Sequence, residues 1–297
     1  METITGRLGI IAGSGQIPLL VAEEAIARHA EGVAGVFAIC VTDDAAGRLR
    51  GRIQVERVAL GQASKAIKLL RAHGARYCIF AGKVEKAPVL AGLKVDARAI
   101  KILARARNFN DDVLMGALVR ELEDEGFEVL PQTAILGRYL VEPRCYTRRR
   151  PTARESADVE FGLGVARGAA ALGIGQTAVI RNRAVLAVEA LEGTDEAIRR
   201  GAKLTGGKGG VVVKAMKPGQ DFRFDVPTVG LATLRRVLEG GLSVLAMEAG
   251  SSFLIDHDEV IAAANGGKVT VVGVAAARPP SPAPAGEPAA KRRRKTG

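Results

Sequence analysis

The segment from Lys214 to Asp225 combines acids and cations in a pattern suited to phosphate chemistry. Asp221, Arg223 and Asp225 alternate with two phenylalanines, so an extended chain would place the three charged groups on one face. Their carboxylates suit a divalent cation, and Lys214 and Lys217 suit the non-bridging oxygens of a phosphate. A lattice of surface ion pairs would have the same composition, and the residues alone leave that alternative open.

A second acidic group follows the predicted strand Val185–Val188. We expect it to converge with the lysines around one water-filled crevice, where Asp225 binds the metal or positions a water molecule. Lys214, Lys217 and Arg223 would neutralise developing charge. The further metal ligands predicted are Asp221 and Asp195, and the substrate contacts predicted in this region are Glu189, Glu192, Gly193, Thr194 and Gln220.

Gly13, Ser14 and Gly15 form a predicted turn between the first strand and a helix that opens near Pro18. Backbone N–H groups at a helix N-terminus favour phosphate, although a purely structural turn stays open. The spacing is not the dinucleotide GxGxxG pattern, because Pro18 occupies its last position. Gly82 and Lys83 follow a buried strand, where Lys83 would either contact a phosphate or be solvated.

Histidine and cysteine exclude several classes of site. The chain has three histidines, too few for a histidine-rich metallophosphatase. Its three cysteines are widely spaced, which argues against a zinc site, a disulfide framework and a catalytic Cys/His pair. A metal would be held mostly by oxygen, which favours Mg²⁺ or Mn²⁺. The cysteines, with no signal peptide or apolar run long enough to span a membrane, lead us to expect a cytoplasmic protein.

Strands that alternate with helices predict a two-domain α/β protein with a parallel sheet in its N-terminal half. The pattern breaks in a stretch rich in proline and arginine, where we place the domain boundary. The predicted organisation is an N-terminal Rossmann-like domain (1–141), a basic linker (142–155), a C-terminal α/β domain (156–277) and a disordered basic tail (278–297).

The net charge of +11 is divided between the tail and the rest of the chain. The tail carries six basic residues and one acid, which gives +5 and leaves +6 elsewhere. That excess favours a phosphorylated substrate or transient contact with an anionic inner-membrane surface, and a merely solvated basic surface stays open. We expect the KRRRK block to be solvated and to bind no specific nucleic acid, and the residues leave a homodimer open.

Six motifs together resemble the LpxI-type UDP-2,3-diacylglucosamine pyrophosphatases of lipid A synthesis. The resemblance extends from Leu8 to about Val274, and its last two motifs are the most specific. The motifs are GIIAGSGQIP (9–18), FAGKV (80–84), NDDVLMGALVRELEDEGFEVL (110–130), IGQTAVI (174–180), LAVEALEGTDEAIRR (186–200) and KAMKPGQDFRFDVPTVG (214–230).

The resemblance implies Mg²⁺-dependent hydrolysis to UMP and 2,3-diacylglucosamine 1-phosphate (lipid X), in a cleft between two domains. The essential aspartate of the family's RFD motif matches Asp225. Its EGTD acids match Glu192 and Asp195, and its KPxQD stretch matches Lys217, Pro218, Gln220 and Asp221. Before the IGQ segment the family has an acidic residue where this chain has Gly173.

The residues leave two other classes of protein open. One is a non-catalytic protein that binds nucleotide sugars or lipid phosphates, in which the acids hold a ligand without activating water. The other is a Rossmann-type oxidoreductase that uses the turn at Gly13–Gly15. Mg²⁺-dependent release of UMP would separate the hydrolase from the first, and binding of NAD(P) would indicate the second.

Overall fold

The N-terminal half is built on a five-stranded parallel sheet in the order β3-β2-β1-β4-β5. The computed structural model describes residues 4–28, 32–84, 95–105, 111–217, 219–224 and 226–275. The strands of this sheet are β1 (Gly6–Ala12), β2 (Val33–Cys40), β3 (Gln54–Arg57), β4 (Ala75–Ala81) and β5 (Glu128–Val129). The strand order reverses between β1 and β4, and ligands of open α/β sheets bind at such a switch point.

Helices cover both faces of this sheet. They are α1 (Ile17–Ala27), α2 (Asp43–Leu49), α3 (Ala63–Ala72), α4 (Ala97–Arg105), α5 (Asp111–Asp124) and α6 (Gln132–Leu136). Alternate residues of each strand enter two apolar clusters: Ile10 packs beneath α1 and α2, while its neighbour Ile11 packs beneath α3 and α5. Helix α2 was not predicted from the sequence. Its N-cap is Thr42, whose hydroxyl accepts a hydrogen bond from the N–H of Ala45 (3.3 Å).

The C-terminal half contains a five-stranded mixed sheet in the order β12-β10-β8-β6-β7. Strands β12, β10 and β8 are parallel, and β6 runs antiparallel to both of its neighbours. The two-domain α/β prediction is confirmed. The elements of this half are β6 (Thr177–Arg181), β7 (Ala184–Val188), β8 (Val211–Lys214), β9 (Thr228–Val229), β10 (Val244–Glu248), β11 (Phe253–Leu254), β12 (Thr270–Val274), α7 (Ala153–Ala171), α8 (Thr194–Thr205), α9 (Leu231–Glu239) and α10 (His257–Gly266).

The start and the end of α7 are both set by local sequence. A capping box joins Thr152 and Glu155 at its start. At its end Gly173 adopts φ +70°, and the N–H of Ile174 reaches back to the carbonyl of Ala169 (3.0 Å). This is a Schellman turn, which favours glycine at the left-handed position. The backbone therefore accounts for glycine at 173, where the family pattern has an acidic residue.

The stretch predicted as a basic linker lies along the edge of the C-terminal sheet. The N–H of Tyr146 donates to the carbonyl of Val271 (2.9 Å), and the N–H of Gly273 donates to the carbonyl of Arg144 (2.9 Å). The Arg149 guanidinium donates to the hydroxyl of Thr270 (2.6 Å). These contacts attach the stretch to β12 as an added edge.

The two halves share a core to which Phe222, Phe224 and Val226 contribute. Phe222 and Val226 pack against the α1 side of the N-terminal sheet, and Phe224 packs against its other side. Phe253 and Ile255 from the C-terminal half join the first of these clusters. No helix within the described ranges is both long enough and apolar enough to cross a membrane.

Two glycines of α7 provide a matched test of this packing. A Cβ added at Gly162 would lie 2.6 Å from Val213 Cγ2 and 2.9 Å from Ile180 Cγ1, both in fully buried strand residues. A Cβ at Gly164 would meet nothing within 4 Å.

We predict that Gly162→Ala lowers the free energy of unfolding by about 1–3 kcal/mol, because the core must shift to accept the methyl group. Gly164→Ala should raise it by about 0.5–1 kcal/mol through helix propensity. Urea titrations of both variants measure the difference. Equal effects of the two substitutions would show that α7 does not pack closely on β6 and β8.

Candidate active site

A buried lysine lies at the carboxyl end of the central strand β8. Lys214 is 8% exposed, and its ammonium donates hydrogen bonds to the hydroxyls of Thr194 (2.8 Å) and Thr177 (3.5 Å). The Thr194 hydroxyl donates in turn to Glu189 Oε1 (2.8 Å), and Glu189 Oε2 lies 4.0 Å from the ammonium. Three neighbouring segments therefore contribute to one polar network at this edge of the sheet.

Lys214 is the nearest positive charge that lowers the pKa of the Glu189 carboxyl. Burial acts to raise the pKa of the Glu189 carboxyl. The positive charge of Lys214, hydrogen bonds from the hydroxyls of Thr177 and Thr194, and the N–H of Gln176 outweigh that effect and lower the pKa below its ordinary value. Glu189 is therefore an anion at neutral pH, held beside a buried cation.

Gln220 connects this network to the segment after β8. The side-chain oxygen of Gln220 accepts hydrogen bonds from Gln176 Nε2 (3.3 Å) and from the backbone N–H of Lys217 (3.3 Å). Of the predicted residues, the structure thus brings Glu189, Thr194, Lys214 and Gln220 together in one chain of contacts. The backbone of Lys217 joins the same chain.

Sequence reasoning missed Glu248, which supports the loop that follows β8. Glu248 ends β10 and is 7% exposed. One of its carboxylate oxygens accepts from the N–H of Met216 (3.0 Å), and the other accepts from the Arg167 guanidinium (3.1 Å). A glutamate at the end of a predicted buried strand, beside the strand that carries Lys214, was the available signal.

Asp221 and Arg223 lie in a turn, so the extended chain that would place the charged groups on one face is not found at residues 221–224. The Arg223 guanidinium donates to both carboxylate oxygens of Asp221, and the N–H of Arg223 donates to Asp221 Oδ1 (2.9 Å). The last contact is the local bond by which an aspartate favours a turn over a strand. Arg223 also pairs with Glu123 (2.8 Å) in the N-terminal half, and its guanidinium holds the pKa of Asp221 below the ordinary value.

Two predicted acids form exposed ion pairs on α8 and the loop before it. Glu192 pairs with Arg200 (2.7 Å), and Asp195 pairs with Arg236 (3.4 Å). Gly193 lies between them at φ +83° and is the N-cap residue of α8.

Asp225 and Pro218 lie outside the described residues, as do the side chains of Asp111 and Asp112. Across the described ranges, no three Asp, Glu, His or Cys residues form a group that could hold a metal ion.

Protein acceptors occupy the N–H groups of Gly13, Ser14 and Gly15 in the glycine turn. The N–H of Gly13 donates to the carbonyl of Ala81 (2.8 Å), and Ser14 and Lys83 exchange two backbone hydrogen bonds. The N–H of Gly15 donates to Asp44 Oδ2 (2.8 Å), and this bond lowers the pKa of Asp44. The expected phosphate cradle is thus filled here by the protein's own carbonyls and one carboxylate.

Gly82 and Lys83 stand on the other side of the same turn. A Cβ at Gly82 would lie 2.6 Å from the carbonyl oxygen of Gly13, and Gly82 has φ +85°. Both facts require glycine at 82, because the two loops approach closely. The side chain of Lys83 is exposed at the switch point of the sheet.

Asp256 joins the turn to the C-terminal half and was also missed. Its carboxylate accepts from the side-chain amide of Gln16 (2.9 Å) and from the N–H of Leu231 (3.2 Å). Asp256 adopts φ +51°, a conformation that is uncommon outside glycine and concentrates at functional sites. The glycine turn therefore faces the interface between the two halves.

Comparison with known proteins identifies the family of the chain. The family model of the LpxI N-terminal domain matches residues 7–139, and that of the LpxI C-terminal domain matches residues 142–272. The UDP-2,3-diacylglucosamine pyrophosphatase LpxI of Caulobacter vibrioides is 36% identical over 278 residues, which cover 90% of this chain and 97% of that protein. A relative of this identity and coverage, together with a family domain in each half, shows that the chain belongs to the LpxI family.

Proposed function

We propose that this chain hydrolyses the diphosphate of UDP-2,3-diacylglucosamine to UMP and 2,3-diacylglucosamine 1-phosphate, with Mg²⁺ as cofactor. The name of the Caulobacter vibrioides relative supports the substrate. The network of Lys214, Thr194 and Glu189 is the observation that carries the proposal, because it holds a buried cation at a sheet edge where ligands of α/β folds bind.

The reaction is an in-line attack of water on one phosphorus of the diphosphate. The bond from that phosphorus to the bridging oxygen breaks, water contributes a hydroxyl to one product, and its remaining proton goes to the other. Lys214 and Lys217 neutralise the negative charge that develops on the phosphoryl oxygens, as cations do in phosphoryl transfer. Arg223 pairs with both Asp221 and Glu123, so it ties the turn at Asp221 to the N-terminal half.

Asp225 is the residue we assign to metal binding or to orienting the attacking water, with Asp221 beside it in the sequence. Mg²⁺ is commonly held by one or two carboxylates together with phosphate oxygens of the substrate, so no cage of three acids is required. The oxygen-only donor set of this segment suits that ion. When bound, Mg²⁺ would draw charge from the diphosphate oxygens.

The other predicted residues receive roles further from the reacting atoms. Glu189 and Thr194 orient Lys214, and Gln220 holds the start of the loop. We assign Glu192 and Asp195 to the outer wall of the site, because arginines already pair with them. In this proposal the glycine turn contributes shape rather than amide donors.

Lys214→Met should lower kcat by about 10²–10³-fold, the loss typical of removing one donor to a developing oxyanion. Release of UMP from UDP-2,3-diacylglucosamine measures this, and thermal unfolding checks that the variant still folds. The control is Lys208→Met, which removes an exposed lysine after α8, near the opposite edge of the sheet. Equal kcat values in the two variants would exclude Lys214 from the mechanism.

Asp225→Asn should lower kcat by several orders of magnitude with little change in stability. The control is Asp258→Asn, which removes a carboxylate that is 97% exposed. Turnover of Asp225→Asn near that of the control would remove Asp225 from our mechanism.

Removal of Mg²⁺ with EDTA should abolish UMP release, and Mg²⁺ or Mn²⁺ should restore it. Carrying out the reaction in ¹⁸O-labelled water shows which product receives the label and so which phosphorus is attacked. Binding of the substrate without release of UMP at any metal concentration would favour the non-catalytic binding protein.

A further inference from the structure

Three large aliphatic side chains are exposed on two loops beside the site. Leu191 is 103% exposed, Leu172 is 77% exposed and Ile174 is 48% exposed. Leu172 and Ile174 follow α7, and Leu191 lies between β7 and α8. We call these three residues the apolar rim. Single exposed apolar residues are ordinary, but a group of them on adjoining loops indicates an interaction surface.

The two loops touch each other at the edge of the polar network. A Cβ added at Gly175 would lie 2.2 Å from the carbonyl oxygen of Glu189, so the backbones are in direct contact. The N–H of Gln176 donates to Glu189 Oε2 (3.4 Å). The apolar rim is therefore continuous with the segment that carries Glu189 and Thr194.

Local hydrogen bonds fix the backbone of the rim. The Schellman turn at the end of α7 holds Ile174 through its N–H. The N–H of Gly193 donates to the carbonyl of Ala190 (3.1 Å) and closes a turn around Leu191. The rim therefore presents its exposed aliphatic side chains on an ordered backbone.

The charges around the rim do not oppose an apolar partner. Residues 172–175 contain no charged side chain. Glu192 is paired with Arg200, and Glu189 is held by the Lys214 network. Contact with lipid would therefore bury no uncompensated carboxylate next to the rim. Burial of an unpaired charge carries a large free-energy cost, and that cost does not arise here.

We propose that the apolar rim inserts into the boundary between headgroups and acyl chains of a phospholipid bilayer. It would hold the mouth of the site against the surface that contains the diacylated substrate. This inference rests on the proposed function, because a substrate with two acyl chains resides in a bilayer. Aliphatic side chains at that depth gain transfer free energy without spanning the membrane.

The test is flotation of the full-length chain with vesicles of phosphatidylethanolamine and phosphatidylglycerol. At about 1 M salt the Debye length is about 3 Å, which suppresses attraction by the basic tail. The rim variant combines Leu172→Gln, Ile174→Gln and Leu191→Gln. The matched control combines Ile100→Gln, Val185→Gln and Leu204→Gln, whose side chains are 55%, 45% and 64% exposed away from these loops.

The rim variant should bind vesicles at least about tenfold more weakly than the wild type, a change of about 1.4 kcal/mol. Binding of the control should stay within about twofold, since substitutions at exposed sites are normally mild. The rim variant should also lose activity on substrate in vesicles while keeping wild-type activity on a short-chain substrate dispersed as monomers.

Three results would overturn the inference: no flotation of the wild type, equal loss in the control, or a rim variant that floats normally but loses activity on the dispersed substrate. The last result would assign the rim to the substrate's own acyl chains. If the wild type floats through the rim yet hydrolyses neither substrate, the proposed function fails and the lipid-binding surface stands.

Discussion

The insertion of Phe222, Phe224 and Val226 into the N-terminal core is the constraint on which the candidate site depends. These side chains pack against both faces of the N-terminal sheet, although the segment begins at β8 of the other half. Full burial of an aromatic side chain, as at Phe224, contributes about 1.5–3 kcal/mol, whereas an exposed ion pair contributes at most about 1 kcal/mol. Apolar burial therefore sets the path of the segment, and it places Arg223, which lies between the two phenylalanines.

A buried glutamine makes this path specific. Gln132 is 5% exposed, and its side chain donates to the carbonyl of Phe80 (2.9 Å) while its N–H donates to the carbonyl of Phe222 (2.8 Å). A shift of the segment would separate the carbonyl of Phe222 from the N–H of Gln132, and a buried polar group left unpaired costs about 1–3 kcal/mol. The position of Arg223 beside Glu123 follows from this register. Hydrophobic contacts thus supply most of the stability, and hydrogen bonds select one arrangement.

The elements with strong apolar periodicity could be predicted from the sequence. The prediction failed where hydrogen bonds from side chains to nearby backbone groups compete with that periodicity. The α/β pattern, the sheet edges and the grouping of Glu189, Thr194 and Lys214 followed from strand ends, because parallel strands bring such residues to one edge. The turn at 221–224 did not, since the Asp221 carboxylate accepts a hydrogen bond from a backbone N–H two residues on. The glycine turn showed the right conformation, but nothing in the sequence indicated that Ala81, Lys83 and Asp44 would supply its acceptors.

The Thr194 hydroxyl lies between the buried ammonium of Lys214 and the carboxylate of Glu189. A carboxylate in direct contact would stabilise the lysine but would also compete with a phosphate for its hydrogen-bond donors. With Thr194 between them, the ammonium and Oε2 are 4.0 Å apart, and the hydroxyl accepts from one group while donating to the other. Attraction at that separation still offsets part of the desolvation cost of the lysine. The cation is thereby tolerated inside the protein at the sheet edge where we place the diphosphate.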